Sequence, residues 1–207
     1  MFARLVTLTG SPRKSMPWAM GITEYVNSHS PLSVTCWAGS FGYPIGTVAW
    51  TAMVESEAAL AAGTGALLAD PGYLDLVESA QDLISSPGHD VLREAIYGEP
   101  GDPPPIGAVA TVTTATAIVD RMGDALGWAV EIAQHVEGVV GSSVGVLTDV
   151  FGTMGGIAWI GSQPDVAAAD AARAKLNADG DYLKRIAGSK DLFINGSGHI
   201  SQATRIA

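Results

Sequence analysis

The chain has 207 residues, 47% of them hydrophobic and 15% charged, with a mean hydropathy of +0.26, so it carries enough apolar surface for one or two packed cores and is not a disordered chain. A net charge of −10 without any basic run excludes a nucleic-acid backbone or an anionic membrane as partner, and no stretch reaches the roughly 20 apolar residues of a membrane span. The single cysteine, Cys36, excludes an internal disulfide and a thiolate metal cluster, and the low charge fraction favours a homo-oligomer that buries part of its surface.

In chain order, "MFARLVTLTG" lacks the apolar core and cleavage site of a signal peptide, which implies a cytoplasmic location, and its residues from Phe2 read as a short strand. "SPRKSMP" then predicts a helix start, with Ser15 as cap and Pro17 in the first turn, and Trp18, Ile22, Tyr25 and Val26 fall at helical spacing up to "NSHSP". "LSVTCWAGS" alternates with the period of a strand, "YPIG" is a turn, and "TVAWTAMVE" alternates again. A helical region begins at Ser56 and is interrupted by Gly and Pro, and "HDVLREAIY" reads as a closing strand.

The second half repeats this order. Trp18, Ala19, Ile22 and Val26 match Trp128, Ala129, Ile132 and Val136 at one offset; Trp50 matches Trp159, and Gly88-His89 matches Gly198-His199. Between the copies, "GEPGDPPPIG" is a stiff, extended connector, so the chain divides into units 1–98 and 106–207 with a Pro-rich linker at 99–105. In the second unit "GAVATVTT" predicts a strand and a longer helix runs from Thr116 to about Gly138. "SSVGVLTDV" and "GGIAWIGS" predict two more strands, followed by an Ala-rich helix and the strand "HISQATRIA".

Each unit therefore reads β-α-β-β-α-β, the ferredoxin-like order, with two helices on one sheet face and the other face bare. The order over both halves, together with "GTVAWTAMVESEAALAAG" and "GGIAWIGSQPDVAAAD", resembles the dimeric α+β barrel superfamily, and within it the NIPSNAP-type and antibiotic-biosynthesis-monooxygenase-type domains. The resemblance implies an α+β fold of two tandem ferredoxin-like units packed sheet to sheet.

Strand alternation assigns Leu32, Val34, Cys36, Val48 and Trp50 to the helix-facing core and points Thr7, Thr9, Thr35, Trp37, Thr51, Thr111 and Thr113 into the barrel. Thr7, Thr35, Trp37, Thr51, Thr111 and Thr113 are thus the expected ligand-binding residues of a mostly apolar chamber, unless the barrel is simply filled. The four recurring tryptophans Trp18, Trp50, Trp128 and Trp159 are expected to pack rather than to act. His89, His199 and His135 are the catalytic candidates, since an imidazole can act as acid, base or ligand near neutral pH. No metal site is expected, because His135 and Glu137 lie two apart on a helix and so on different faces.

No phosphate loop, nucleophile elbow, H-E-x-x-H or strand-linked dinucleotide motif is present. The leading expectation is a small-molecule-binding barrel, a cofactor-independent monooxygenase or isomerase-like enzyme on an apolar or aromatic substrate. The rival is a non-enzymatic assembly protein forming a homo-oligomer. A second alternative is a haem protein, implied by the two-unit haem members of the superfamily, with His135 or His199 likened to their axial ligand.

Overall fold

The computed structural model describes residues 1–9, 11–85, 88–98 and 101–207. Glu99 and Pro100 of the connector lie outside them. The first strand, β1 (Phe2–Thr7), leads into helix α1 (Pro12–His29), then strands β2 (Val34–Phe41) and β3 (Thr47–Ala52), helices α2 (Glu57–Leu68) and α3 (Pro71–Glu78), and strand β4 (His89–Tyr97). The order recurs as β5 (Val109–Thr116), α4 (Met122–Val140), β6 (Val144–Phe151), β7 (Gly156–Gln163), α5 (Val166–Ala178), α6 (Gly180–Gly188) and β8 (His199–Arg205).

All eight strands pair antiparallel into one closed barrel of order β1-β3-β2-β8-β5-β7-β6-β4. Two seams, β2 against β8 and β4 against β6, join the first four strands to the last four. Closure leaves no strand edge to aggregate, and it gives every strand one face toward the helices and one toward the barrel interior.

Helix starts follow local chemistry. Ser56, Asp70, Asp165 and Asp179 each accept a backbone N–H of the first turn and so begin α2, α3, α5 and α6. Helix α1 starts earlier than the sequence suggests. Ser11 occupies the cap position and Pro12 the first turn, where a missing N–H costs nothing, while Ser15 is buried within the helix and Pro17 lies inside it. The long second-half helix starts later than Thr116, because Thr116 pairs with Gly156 as the last residue of β5 and a single 3-10 turn, Val119–Arg121, precedes α4.

The helix side carries the main cores. Val6, Ala19, Cys36 and Val48 are buried together under α1, with Ile22, Val26, Val34, Ala52 and Leu67 beside them. Ala117, Ala129, Ala133, Val146 and Ile157 form the corresponding core under α4. The strands' assignments of Val34, Cys36, Val48 and Trp50 to this face hold, as does that of Leu32. The same joint recurs at the start of each hairpin's return strand: Leu8 donates to Gly46 O at 2.9 Å and Ala117 to Gly155 O at 2.9 Å. Gly46 has φ +87°, and a Cβ there would lie 2.3 Å from Leu8 O, so only glycine fits.

Candidate functional site

A cavity of about 390 Å³ lies between the sheet of β1–β4 and helices α1–α3, on the helix side of the wall rather than inside the barrel. Trp18, from α1, and Trp50, from β3, meet edge to face with ring centroids 5.9 Å apart and planes at 85°. Each indole is pinned: Trp18 Nε1 donates to Leu76 O and Trp50 Nε1 to Thr23 Oγ1, both at 2.9 Å. With their N–H groups satisfied, the rings offer apolar surface. Leu32, Leu60, Leu67 and Val77 continue that surface, and Tyr73 adds a phenol.

Charge enters at one edge. Arg4 and Asp90 line the cavity, and their ion pair is a two-pronged fork, Nε to Oδ1 at 2.8 Å and Nη2 to Oδ2 at 2.7 Å. The Asp90 hydrogen bond pushes the Arg4 guanidinium above its ordinary pKa, so this group stays charged. Both side chains keep over 40% of their surface exposed, so the pair adds little stability and is free to respond to a neighbour.

The equivalent space under α4 is filled. Trp128 and Trp159 keep the same edge-to-face geometry at 6.0 Å and 84°, but Phe193 inserts against both, at 5.4 and 5.9 Å. Phe193 bridges to Ala117 where Ile84 bridges to Leu8, so Ile84 is its structural counterpart. Thr113 lies opposite Trp159 as Arg4 lies opposite Trp50, and Ile200 opposite Thr113 as Asp90 opposite Arg4. An aromatic plug and two uncharged residues thus stand where the first half has an open, charged-edged slot.

The expected site residues separate. Thr35, Trp37 and Thr51 face the barrel interior and form one knot: Trp37 Nε1 donates to both threonine hydroxyls at 3.0 Å, and those hydroxyls lie 2.7 Å apart. Thr7 also sits on the interior face, opposite Thr47, while Thr9 is exposed beyond the strand end. Thr111 and Thr113 require correction. Their partners Gly161 and Trp159 belong to the helix-facing set with Ile157, so both threonines point toward the helices, and Ala110, Val112, Thr114 and Thr116 face inward instead. Of the six expected ligand-binding residues, only Thr51 borders the cavity.

The histidines stand apart from it. His135 Nε2 lies 3.1 Å from Asp179 Oδ1, the cap of α6; His199 Nε2 lies 2.7 Å from Gly42 O across the β2–β8 seam; His89 is exposed at the start of β4. Sequence reasoning set Trp18 and Trp50 aside as packing residues and passed over Arg4 and Asp90. The signal available was the contrast between copies at Arg4 and Thr113, Ile84 and Phe193, and Asp90 and Ile200.

No protein-family profile matches the sequence, and no curated protein matches it. Among solved structures the chain is similar to an anthrone oxidase-like protein, with TM-score 0.72 and 13% identity over all of this chain and 90% of the other. It is also similar to a candidate monooxygenase of Fusobacterium nucleatum, with TM-score 0.69 and 10% identity over 100% and 91% of the two chains. A candidate monooxygenase of Lactobacillus acidophilus aligns with TM-score 0.65 and 11% identity over 99% and 92%. The chain has the dimeric α+β barrel fold. Identities this low carry the barrel architecture and nothing finer.

A haem fits the residues of this barrel poorly. None of the four histidines borders the large cavity, and His135 and His199 are already held by Asp179 and Gly42 O, on surfaces away from it. Among the described residues no group of three or more His, Cys, Asp or Glu is placed to hold a metal ion, and no helix is long and apolar enough to cross a membrane.

Proposed function

We propose that the protein binds a small apolar or aromatic molecule in the cavity under α1–α3 and acts on it as a cofactor-independent monooxygenase or isomerase-like enzyme. The observation that carries this reading is a slot of about 390 Å³ walled by two pinned indoles, with a single ion pair, Arg4–Asp90, among its lining. Small-molecule sites have this composition, mostly apolar with a few fixed polar groups, and volumes of roughly 300–1,000 Å³. The fold is shared with proteins named for monooxygenase and anthrone oxidase activity.

Asp90 is the carboxylate of the lining, and in this reading it takes a proton from an acidic C–H of the bound ring system while Arg4 stabilises the charge left on the substrate oxygen. Dioxygen then supplies one atom, which replaces two C–H hydrogens as a carbonyl oxygen. The other atom leaves as water with those two hydrogens. An isomerisation would use the same proton removal without consuming oxygen.

Anthrone is a direct probe. Saturable quenching of tryptophan fluorescence, with one O₂ consumed per anthrone, is the expected result, and Asp90→Asn should retain quenching while losing turnover. Absence of quenching by anthrone and by smaller aromatics would refute the binding reading; quenching with product but no oxygen uptake would select the isomerase.

Two exposed hairpin tips, with Ile45 97% and Met154 81% accessible, favour a homo-oligomer as a companion reading, whether or not the barrel is an enzyme. Native mass tests it. The division into units 1–98 and 106–207 joined at 99–105, and a cytoplasmic location, belong to the same proposal; separate expression of each unit tests the former.

A further inference from the structure

A second cavity, about 160 Å³, lies at the β4–β6 seam and is bordered mainly by polar side chains, in contrast to the apolar slot under α1–α3. Arg93 of β4 and Asp149 of β6 face each other there, on the barrel's inner side, with Nε donating to Oδ1 at 2.6 Å. They keep only 15% and 7% of their side-chain surface, so this ion pair has lost most of its water and requires other partners. Asp149 has them. Its second oxygen accepts Thr153 N at 2.9 Å, and the hairpin wraps it so closely that a Cβ on Gly152 or Gly156 would come within 2.7 or 2.5 Å of Oδ2.

Arg93 is satisfied on one side alone. Among the described residues nothing accepts from Nη1 or Nη2, and no fully buried side-chain nitrogen lacks a partner, so both amino groups keep accessible surface on a side chain that borders the cavity. Thr114, Thr116 and Thr153 border the same space. At the other seam the corresponding register pair is Gly39 and Ala203, and the Tyr43 ring packs over Gly39 in an apolar cluster with Trp37 and Ala110. One seam is closed by an aromatic ring, and the other holds a guanidinium with unspent donors.

We propose that this niche binds a small monocarboxylate. Two parallel N–H groups of a guanidinium match the two oxygens of a planar carboxylate, and the threonine hydroxyls complete an acceptor-binding pocket. The volume equals roughly five water molecules, which limits the ligand to a few non-hydrogen atoms. Asp149 already offsets the guanidinium charge, so a monoanion is favoured over a dianion such as hydrogen phosphate. The site is independent of the aromatic slot.

The test is a titration of the folded protein with sodium acetate, followed by amide and arginine side-chain NMR, against sodium chloride and sodium phosphate at matched ionic strength. Saturable shifts confined to Arg93, Thr114–Thr116 and Thr153, with a melting temperature raised by about 2–4 °C at roughly five times the dissociation constant, are expected for acetate alone. Arg93→Lys, which keeps the charge but loses the fork, should weaken acetate binding at least about tenfold, and Thr114→Val should weaken it several-fold with the seam intact. Shifts equal in chloride, shifts elsewhere in the barrel, or an affinity unchanged in a folded Thr114→Val or Arg93→Lys variant would overturn the proposal.

Discussion

Replacing Ile84 by Phe should convert the open slot into a copy of the filled one. Ile84 borders the cavity at the position that Phe193 occupies under α4, where that ring makes edge contacts with Trp128 at 5.4 Å and Trp159 at 5.9 Å. A ring at 84 meets Trp18 and Trp50, which keep the same mutual geometry. Each edge-to-face pair contributes roughly 0.5–1.5 kcal/mol beyond area, and ordering the ring takes part of it back, which leaves a gain of about 1–2 kcal/mol. Overpacking would cost about 1–3 kcal/mol in a full core, but a space of about 390 Å³ makes that term small. Thermal melts of Ile84→Phe should therefore rise by about 2–8 °C for a chain of this size. The same variant should lose at least about tenfold in affinity for an aromatic probe measured by tryptophan quenching. A folded Ile84→Phe protein that binds the probe as well as the wild type would refute the assignment of the slot as the binding site.

Two further outcomes follow from buried or paired groups. The Tyr25 hydroxyl, 2.9 Å from Asp70 Oδ2, is the main cause holding the Asp70 carboxyl below its ordinary value of 3.8; a depressed carboxyl stabilises the fold above that value and stops doing so as pH falls through its folded pKa. Tyr25→Phe should thus lower the melting temperature at neutral pH, with the gap to wild type closing as pH drops below about 4, and a gap that stays constant into that range would contradict the assignment. Burial pushes the Cys36 thiol up to about 11, so the native protein should resist a thiol reagent at pH 8 and react fully once unfolded in guanidinium; rapid labelling of the native state would show that the α1 core is open.

Much of the frame was legible from the chain because apolar contrast was strong where it mattered. In β2 and β3, Val34, Cys36, Val48 and Trp50 alternate with Thr35, Trp37 and Thr51, and a period of two with unequal partners fixes which face is which. Strand β5 lacks that contrast. "VATVTTAT" places threonines on both faces, Thr111 and Thr113 toward the helices and Thr114 and Thr116 inward, and only the register opposite Trp159 decides between them. Ser15 was misread for a similar reason, since "SPRKSMP" offers two Ser and Pro pairs and the earlier one starts the helix. The Arg93–Asp149 pair was out of reach because it joins residues 56 apart across a seam that no local pattern encodes.

Strand β4 shows how the two cavities came to differ from their counterparts without disturbing the barrel. Its backbone ladder to β1 and β6 is kept by main-chain bonds, which leaves its side chains free to vary on both faces. Asp90 projects to the helix side, where it meets Arg4 at the edge of the apolar slot; Arg93, beyond a shift in register, projects inward to Asp149. The corresponding strand β8 carries Ile200 and Ala203 at these places. A mostly buried charge is costly in a closed barrel unless it has a partner, which Arg93 finds in Asp149, and the two partners Arg4 and Asp149 stand where the other half has Thr113 and Gly39. Four matched replacements, two per face, are more than packing requires, and both pairs line the two described cavities. Divergence of paired positions between corresponding strands is therefore the feature of this chain that points to chemistry, and it does so more sharply than any histidine or recurring tryptophan.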